Sequence, residues 1–325
     1  MKFTTTLKKV LAAASLTLSA CAGFAQSTYP DRPVHLLVPY PPGGSSSVMA
    51  QLLSEKLKVK WGQAVIVFNR PGASGIIGTE DLLKLPPDGY TLLMASSTHL
   101  INPLLLPVPY DAIKDFAPVS SLYASELVLL MNPKLPANNL KEFIALAKSR
   151  PGQLNYASVS AGGTTHLAGE TLNLMAGIKT QHVPYKGAGP ALTDLIGGQV
   201  QFSFTAPTPA LPFVKSGQLK ALAVSGDTRL PALPEVPTFA EAGLPGFQAR
   251  LWFGILARAG TPKEIVDKIA ADVGAIMGTS EMKDFLVTEG LAPFVTTPEQ
   301  FSAQMKADLS RYAALVKAAN IKLEQ

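Results

Sequence analysis

Apolar runs of strand length alternate along this chain with stretches in which apolar residues recur at helical spacing. Val34–Val38 reads as a strand and Ser47–Lys58 as a helix. Ala64–Phe68 is a second strand, Asn69-Arg70-Pro71-Gly72 a turn, and Gly75–Leu85 a helix. Pro86-Pro87-Asp88-Gly89 is another turn, and Tyr90–Ala95 a third strand. The order β-α-β-α-β predicts a parallel sheet covered by helices, and the near-continuous apolar strands predict burial on both faces.

The pattern then repeats. Glu126–Met131, Leu154–Val159, Gln181–Tyr185, Val200–Thr205 and Leu219–Val224 read as strands. Asn139–Lys148, Thr164–Met175 and Pro190–Ile196 read as helices, the first capped by Asn138 or Asn139. A proline-rich connector, 230–246, leads to a strand at Leu251–Ala257. Helices follow at Pro262–Ile276, Ser280–Thr288 and Pro298–Ala319. Ala117–Met131 reads as one crossing between two α/β blocks and Ala221–Leu256 as the return. Two lobes are therefore expected: residues 28–125 with 226–325, and residues 126–225. Open parallel sheets bind ligands beyond the carboxyl ends of their strands, which would here face a cleft between the lobes.

Composition narrows the class. Of 325 residues 47% are hydrophobic and 16% charged, enough apolar material for one large or two medium domains, and 26 Gly with 27 Pro imply many short connections. The formal charge of +5 is scattered, with no Lys/Arg block interleaved with aromatics, which argues against nucleic-acid binding. Part of that charge belongs to the N-terminus. Lys2, Lys8 and Lys9 precede an apolar stretch, Val10–Ala20, and small residues flank Phe24, the pattern of a secretory signal peptide over residues 1–25. Without it 25 basic residues face 23 acidic ones, a net of +2. The single cysteine, Cys21, follows Leu18-Ser19-Ala20. It reads either as a lipidation site or as part of a segment discarded after Ala25. In both cases no thiol pair remains for a disulfide or a multi-cysteine metal site.

Candidate chemistry lies where strands end. Tyr40-Pro41-Pro42-Gly43-Gly44-Ser45-Ser46-Ser47 joins the first strand to a helix. Its glycines allow backbone N–H groups to approach a ligand, its serines add hydroxyls, and the helix start favours negative charge. A turn capped by one serine explains the same residues. No Gly-Lys-Ser/Thr follows, so this is not a nucleotide-phosphate loop. Ser158-Val159-Ser160-Ala161-Gly162-Gly163-Thr164-Thr165 repeats the arrangement in the second block, and Ser96-Ser97-Thr98 forms a third hydroxyl-rich loop. One such loop per lobe could grip a carboxylate from opposite sides. His166 and Glu170 share a helix face, but no further ligand makes a metal site, and packing or capping explains them better. Ser74 lacks the spacing of a nucleophile elbow, which counts against a hydrolase. Trp252 and Phe253 read as core or hinge aromatics, with lining of the cleft as the lesser alternative.

The sequence resembles the Bug-type substrate-binding proteins of tripartite tricarboxylate transporters over essentially all of the mature chain. The matching stretches include Pro42-Gly43-Gly44, Asn69-Arg70-Pro71-Gly72-Ala73, Asp88-Gly89-Tyr90, Asn102-Pro103 and Asp115-Phe116-Ala117-Pro118-Val119. They continue with 163–170, Val183-Pro184-Tyr185-Lys186-Gly187, 189–198, 237–247 and Ala259-Gly260-Thr261-Pro262. The resemblance implies a type II periplasmic-binding fold, two α/β lobes joined by a two-segment hinge. It implies a periplasmic, monomeric receptor, without cofactor, metal or catalysis. Such a receptor closes on a small carboxylate (a di- or tricarboxylate or an aromatic acid) and delivers it to a membrane permease. The implied ligand residues are Tyr40, Gly43, Gly44, Ser45, Ser47, Ser96, Thr98, Ser158, Gly162, Gly163, Thr164 and Thr165. Signalling to a sensor protein is compatible with the same fold, and an exported α/β hydrolase is the more distant alternative. The chain departs from the family at Ser47 and Gln51, where Asp and Arg are common.

Overall fold

The computed structural model describes residues 29–318, 320 and 321; the signal segment 1–25 and Cys21 lie outside the described residues. In chain order the elements are β1 (Val34–Val38), α1 (Ser45–Trp61), β2 (Val65–Asn69), α2 (Ile76–Leu83), β3 (Thr91–Ser96), α3 (Thr98–Leu105) and β4 (Phe116–Glu126). Then come β5 (Val128–Met131), α4 (Leu140–Ser149), β6 (Asn155–Ser158), α5 (Thr164–Ala176), β7 (Gln181–Pro184), α6 (Ala188–Gly197), β8 (Phe202–Thr205), α7 (Pro207–Lys215) and β9 (Lys220–Val224). The chain finishes with β10 (Arg250–Arg258), α8 (Lys263–Met277), α9 (Ser280–Thr288), β11 (Ala292–Pro293) and α10 (Pro298–Ala318).

Two sheets form, ordered β11-β4-β10-β3-β1-β2 and β7-β6-β8-β5-β9. Within each, three strands run parallel in the order second, first, third: β2-β1-β3 and β7-β6-β8. The next strand is antiparallel, β10 beside β3 and β5 beside β8. The sheets are therefore mixed, where the sequence reading expected parallel ones. Each antiparallel strand arrives through a crossing rather than through a βαβ turn. The expected crossing at Ala117–Met131 is itself strand on both sides of Leu127: β4 pairs with β10, and β5 with β8 and β9.

Apolar alternation places the helices. Val34, Leu36 and Val38 of β1 pack against Met49 and Leu53 of α1 and Ile269 of α8. The other face, through Leu37, Leu93 and Ala95, packs against Leu100 of α3 and Phe301 and Met305 of α10. The second sheet is sandwiched in the same way, Leu129, Phe202 and Phe204 against Phe143 and Leu172, and Val128, Leu130 and Ala157 against Leu192 and Leu195. The return segment, 225–249, buries Leu230, Leu233 and Val236 in one of these second-sheet cores and Phe239 and Phe247 in the other. Ser225 ties the two crossings. Its hydroxyl accepts from Leu127 N–H at 2.8 Å and donates to the Ala249 carbonyl at 2.5 Å.

Local signals account for the ends. Asn139 caps α4, accepting from Glu142 N–H at 2.9 Å, while the Glu142 carboxylate accepts from Asn138 N–H at 2.7 Å, a reciprocal cap. The sequence reading assigns no helix to α3 or α7. Both hold an internal proline, Pro103 and Pro212, and proline is read as a breaker because it removes a donor and crowds the preceding turn.

Candidate functional site

The carboxyl ends of β1, β3, β6 and β8 open on one cavity of about 350 Å³ between the two sheets, within the ~300–1,000 Å³ range of small-molecule sites. Five helices begin at its wall: α1 at Ser45, α3 at Thr98, α5 at Thr164, α6 at Ala188, and α7 just past Ala206. In none of the five does the N-cap residue's own side chain make a cap hydrogen bond, and none has an acidic residue in its first turn. First-turn amides have no partner within their helix, and although Pro207 and Pro209 leave α7 few of them, helix starts gathered on one space make it receptive to an anion.

The glycine-rich loop after β1 supplies Tyr40, Pro41, Gly43, Gly44 and Ser45 to the wall. Gly43 takes φ +89°, a conformation costly for residues with a Cβ, so glycine is required for this turn. The Ser45 hydroxyl is buried and has no hydrogen-bond partner. Tyr40 and Ser96 share a 2.6 Å hydrogen bond, and Ser96 accepts from Thr98 N–H at 3.3 Å. Burial pushes the Tyr40 phenol up to about 12. It is therefore a neutral hydroxyl at physiological pH. Ser47 does not line the cavity. It accepts from the Asn69 amide at 2.6 Å, and the same amide donates to the Tyr40 carbonyl at 2.8 Å, so Ser47 braces the loop from behind. Gln51 is exposed on α1 and also lies off the wall.

On the opposite side Val159, Ser160, Thr164 and Thr165 reach the cavity. Ser158, Gly162 and Gly163 do not. Ser158 donates to the Ser160 carbonyl at 2.9 Å and lies 2.7 Å from His182 Nε2; with its one proton so used, the histidine must donate. Gly162 N–H donates to His166 Nδ1 at 3.1 Å, which puts that ring's proton on Nε2. The two rings stack at 3.7 Å, directly behind the loop. Burial, reinforced by His182, lowers His166 to about 3, and burial lowers His182 to about 4, so both are neutral near pH 7. Glu170 accepts from the Tyr156 hydroxyl at 2.6 Å and stands 4.0 Å from His166. Among the described residues no three His, Cys, Asp or Glu come together as a metal site.

The sequence reading misses two stretches of wall. Lys186, Gly187, Ala188 and Gly189 open α6, and Ala206 and Pro209 open α7. The first is a small-residue loop after a strand, the same signal as the two loops recognised. The second holds two hydroxyls, Thr205, which lines the cavity, and Thr208, but no glycine, and Pro207 and Pro209 mask the helix start. Among the described residues Lys186 is the one charged side chain in the wall. Leu192, Phe213, Leu251 and Phe253 line the remainder, an apolar surface. Trp252, beside Phe253, faces away into the core and donates to Asp308 at 2.8 Å.

Residues 49–321 match the model of the tripartite tricarboxylate transporter family receptor. BugT of Bordetella pertussis is 37% identical over 311 residues, 95% of either chain. A solved structure of Rhodopseudomonas palustris Rpa4515 with adipate superposes at TM-score 0.87 with 32% identity, covering 90% of this chain and 99% of that one. That of the periplasmic binding protein BugD superposes at 0.84 with 31% identity, covering 91% and 100%.

Proposed function

The chain belongs to the tripartite tricarboxylate transporter receptor family, and from that membership we propose that it captures a carboxylate with an apolar body in the periplasm and delivers it to a membrane permease. The observation that carries this reading is the convergence of five acid-free helix starts on one apolar-walled cavity. A relative of known structure holds adipate, a carboxylate of suitable size.

The carboxylate sits where Gly43, Gly44 and Ser45 face Thr164 and Thr165. Charge-assisted hydrogen bonds from neutral amides and hydroxyls hold it, each about twice as strong as its neutral counterpart. Tyr40, Ser96 and Thr98 complete the polar end, with Lys186 as the nearby cation. The body lies against Leu192, Phe213 and Phe253. A second carboxylate close to the first would be pressed on those side chains and desolvated without a partner, which is costly, whereas one at the far end of an apolar body, as in adipate, need not be. An aromatic or medium-chain acid therefore fits better than a small polyacid. In keeping with a family of receptors, the role is binding without catalysis. Ser47, Ser158, Gly162 and Gly163 serve as braces of the two loops.

The lobes divide at Leu127 and at 249/250. This places residues 226–249 with the second lobe, because their apolar side chains pack into its cores. Closure of the lobes excludes water and strengthens every bond to the anion. Residues 1–25 direct export, with Cys21 either lipidated or removed.

Isothermal titration against benzoate, phenylacetate, adipate, malate and neutral benzamide tests the reading. Binding of the apolar-bodied acids, with benzamide silent, is the expected outcome. Malate binding tighter than every other acid would overturn the apolar-body assignment, and binding of benzamide alone would overturn the carboxylate assignment.

A further inference from the structure

Gly72, Ala73, Ser74 and Gly75 take φ of 141°, 44°, 55° and 92°, four positive values in succession. Two of these residues carry a Cβ, and such a conformation persists only where the surroundings hold it. Three hydrogen bonds do so. Gly75 N–H donates to the Gly72 carbonyl at 2.9 Å, and the buried Asn102 amide donates to the Ser74 carbonyl at 3.1 Å. The third leaves the first sheet's unit: Ser74 Oγ donates to the Ala161 carbonyl at 2.6 Å, on the loop between β6 and α5. Beside it the Ser97 and Thr164 hydroxyls, 2.8 Å apart, make a buried second bridge between the same two units. Neither Ser74 nor Ala161 lines the cavity, so this contact is not with a ligand. The turn nevertheless abuts the cavity wall, since a Cβ at Gly75 would lie 3.2 Å from Cε1 of Tyr40.

We propose that Ser74 is a positioning residue, a latch that holds the two lobes shut through the Ala161 carbonyl, with or without a ligand between them. The proposal rests on the receptor reading above. A bond made only in the closed form shifts the open–closed equilibrium by its own free energy. It acts on the release of a captured acid and, because acid-free lobes must part to admit one, on entry as well.

Small-angle scattering of the acid-free protein separates this proposal from that reading, because it needs no ligand. Ser74→Ala removes the hydroxyl, and Ser74→Gly removes it while relieving the backbone, so one variant reports even where the other fails to fold. Both should show a larger radius of gyration than the wild-type protein. With adipate or benzoate as probe, dissociation should quicken about 2- to 10-fold, the effect of one hydrogen bond, and association should be no slower than in the wild-type protein. A Ser74→Gly protein with the wild-type radius of gyration overturns the latch, whatever its affinity. A lowered melting temperature with that same radius overturns it equally, since it marks the bond as merely structural.

Discussion

The Ser45 hydroxyl is buried at the start of α1 with nothing to bond to. An orphaned polar group costs stability, while a hydroxyl donated to a carboxylate contributes roughly 1.5–3 kcal/mol. Ser45→Ala should therefore leave the melting temperature of the free protein unchanged or raise it, and weaken acid binding by about 10- to 100-fold. Equal affinity in the variant, measured by titration calorimetry, would remove Ser45 from the site. The stacked histidines behave differently, because the cost there falls on the fold. Burial lowers His182 from 6.5 to about 4 and His166 further, to about 3. The unfolded chain thus binds protons that the native chain refuses, and stability is full above about pH 6.5 and declines as the pH falls toward 4. Melting curves from pH 7.5 to 4.5 should show the decline, and His182→Gln should flatten part of it.

Among the elements, the two loops that open α1 and α5 are legible in the sequence. A strand, a double glycine and a run of hydroxyls announce an amide-lined turn. Which side chains of that turn face inward is not legible. Successive residues of a helix start point about 100° apart, so Ser45 reaches the cavity while Ser47 bonds to Asn69 behind it. Gly163 shows the same indirectness. A Cβ there would clash with Ser160 Oγ, and Ser160 lines the cavity while Gly163 does not. Gly163→Val should displace that serine and weaken acid binding several-fold in a protein that still folds, since the backbone at φ −85° accepts a side chain. Circular dichroism together with titration checks both halves. The starts of α3 and α7 were hidden by Pro103 and Pro212, which obscure a helical period without abolishing the helix.

At the scale of the molecule, the alternation of strand-like and helix-like runs makes the α/β class readable, whereas the first passage between the sheets, expected at Ala117–Met131, is strand on both sides of Leu127. What the sequence could not display is pairing direction. The antiparallel placement of β10 and β5 follows from where the crossings deliver the chain, a long-range outcome with no local mark. Ser225 joins the passages, and its loss would leave Leu127 N–H and the Ala249 carbonyl buried without partners. Ser225→Ala should lower unfolding stability by about 1–3 kcal/mol, read from urea denaturation. One consequence follows from the cavity's construction. The anion grip proposed for it rests on peptide groups and hydroxyls, and no ordinary replacement deletes a peptide group, whereas the apolar wall of Leu192, Phe213 and Phe253 consists of side chains. A descendant of this chain could exchange one nutrient for another by redrawing those few side chains, keeping its appetite for acids throughout.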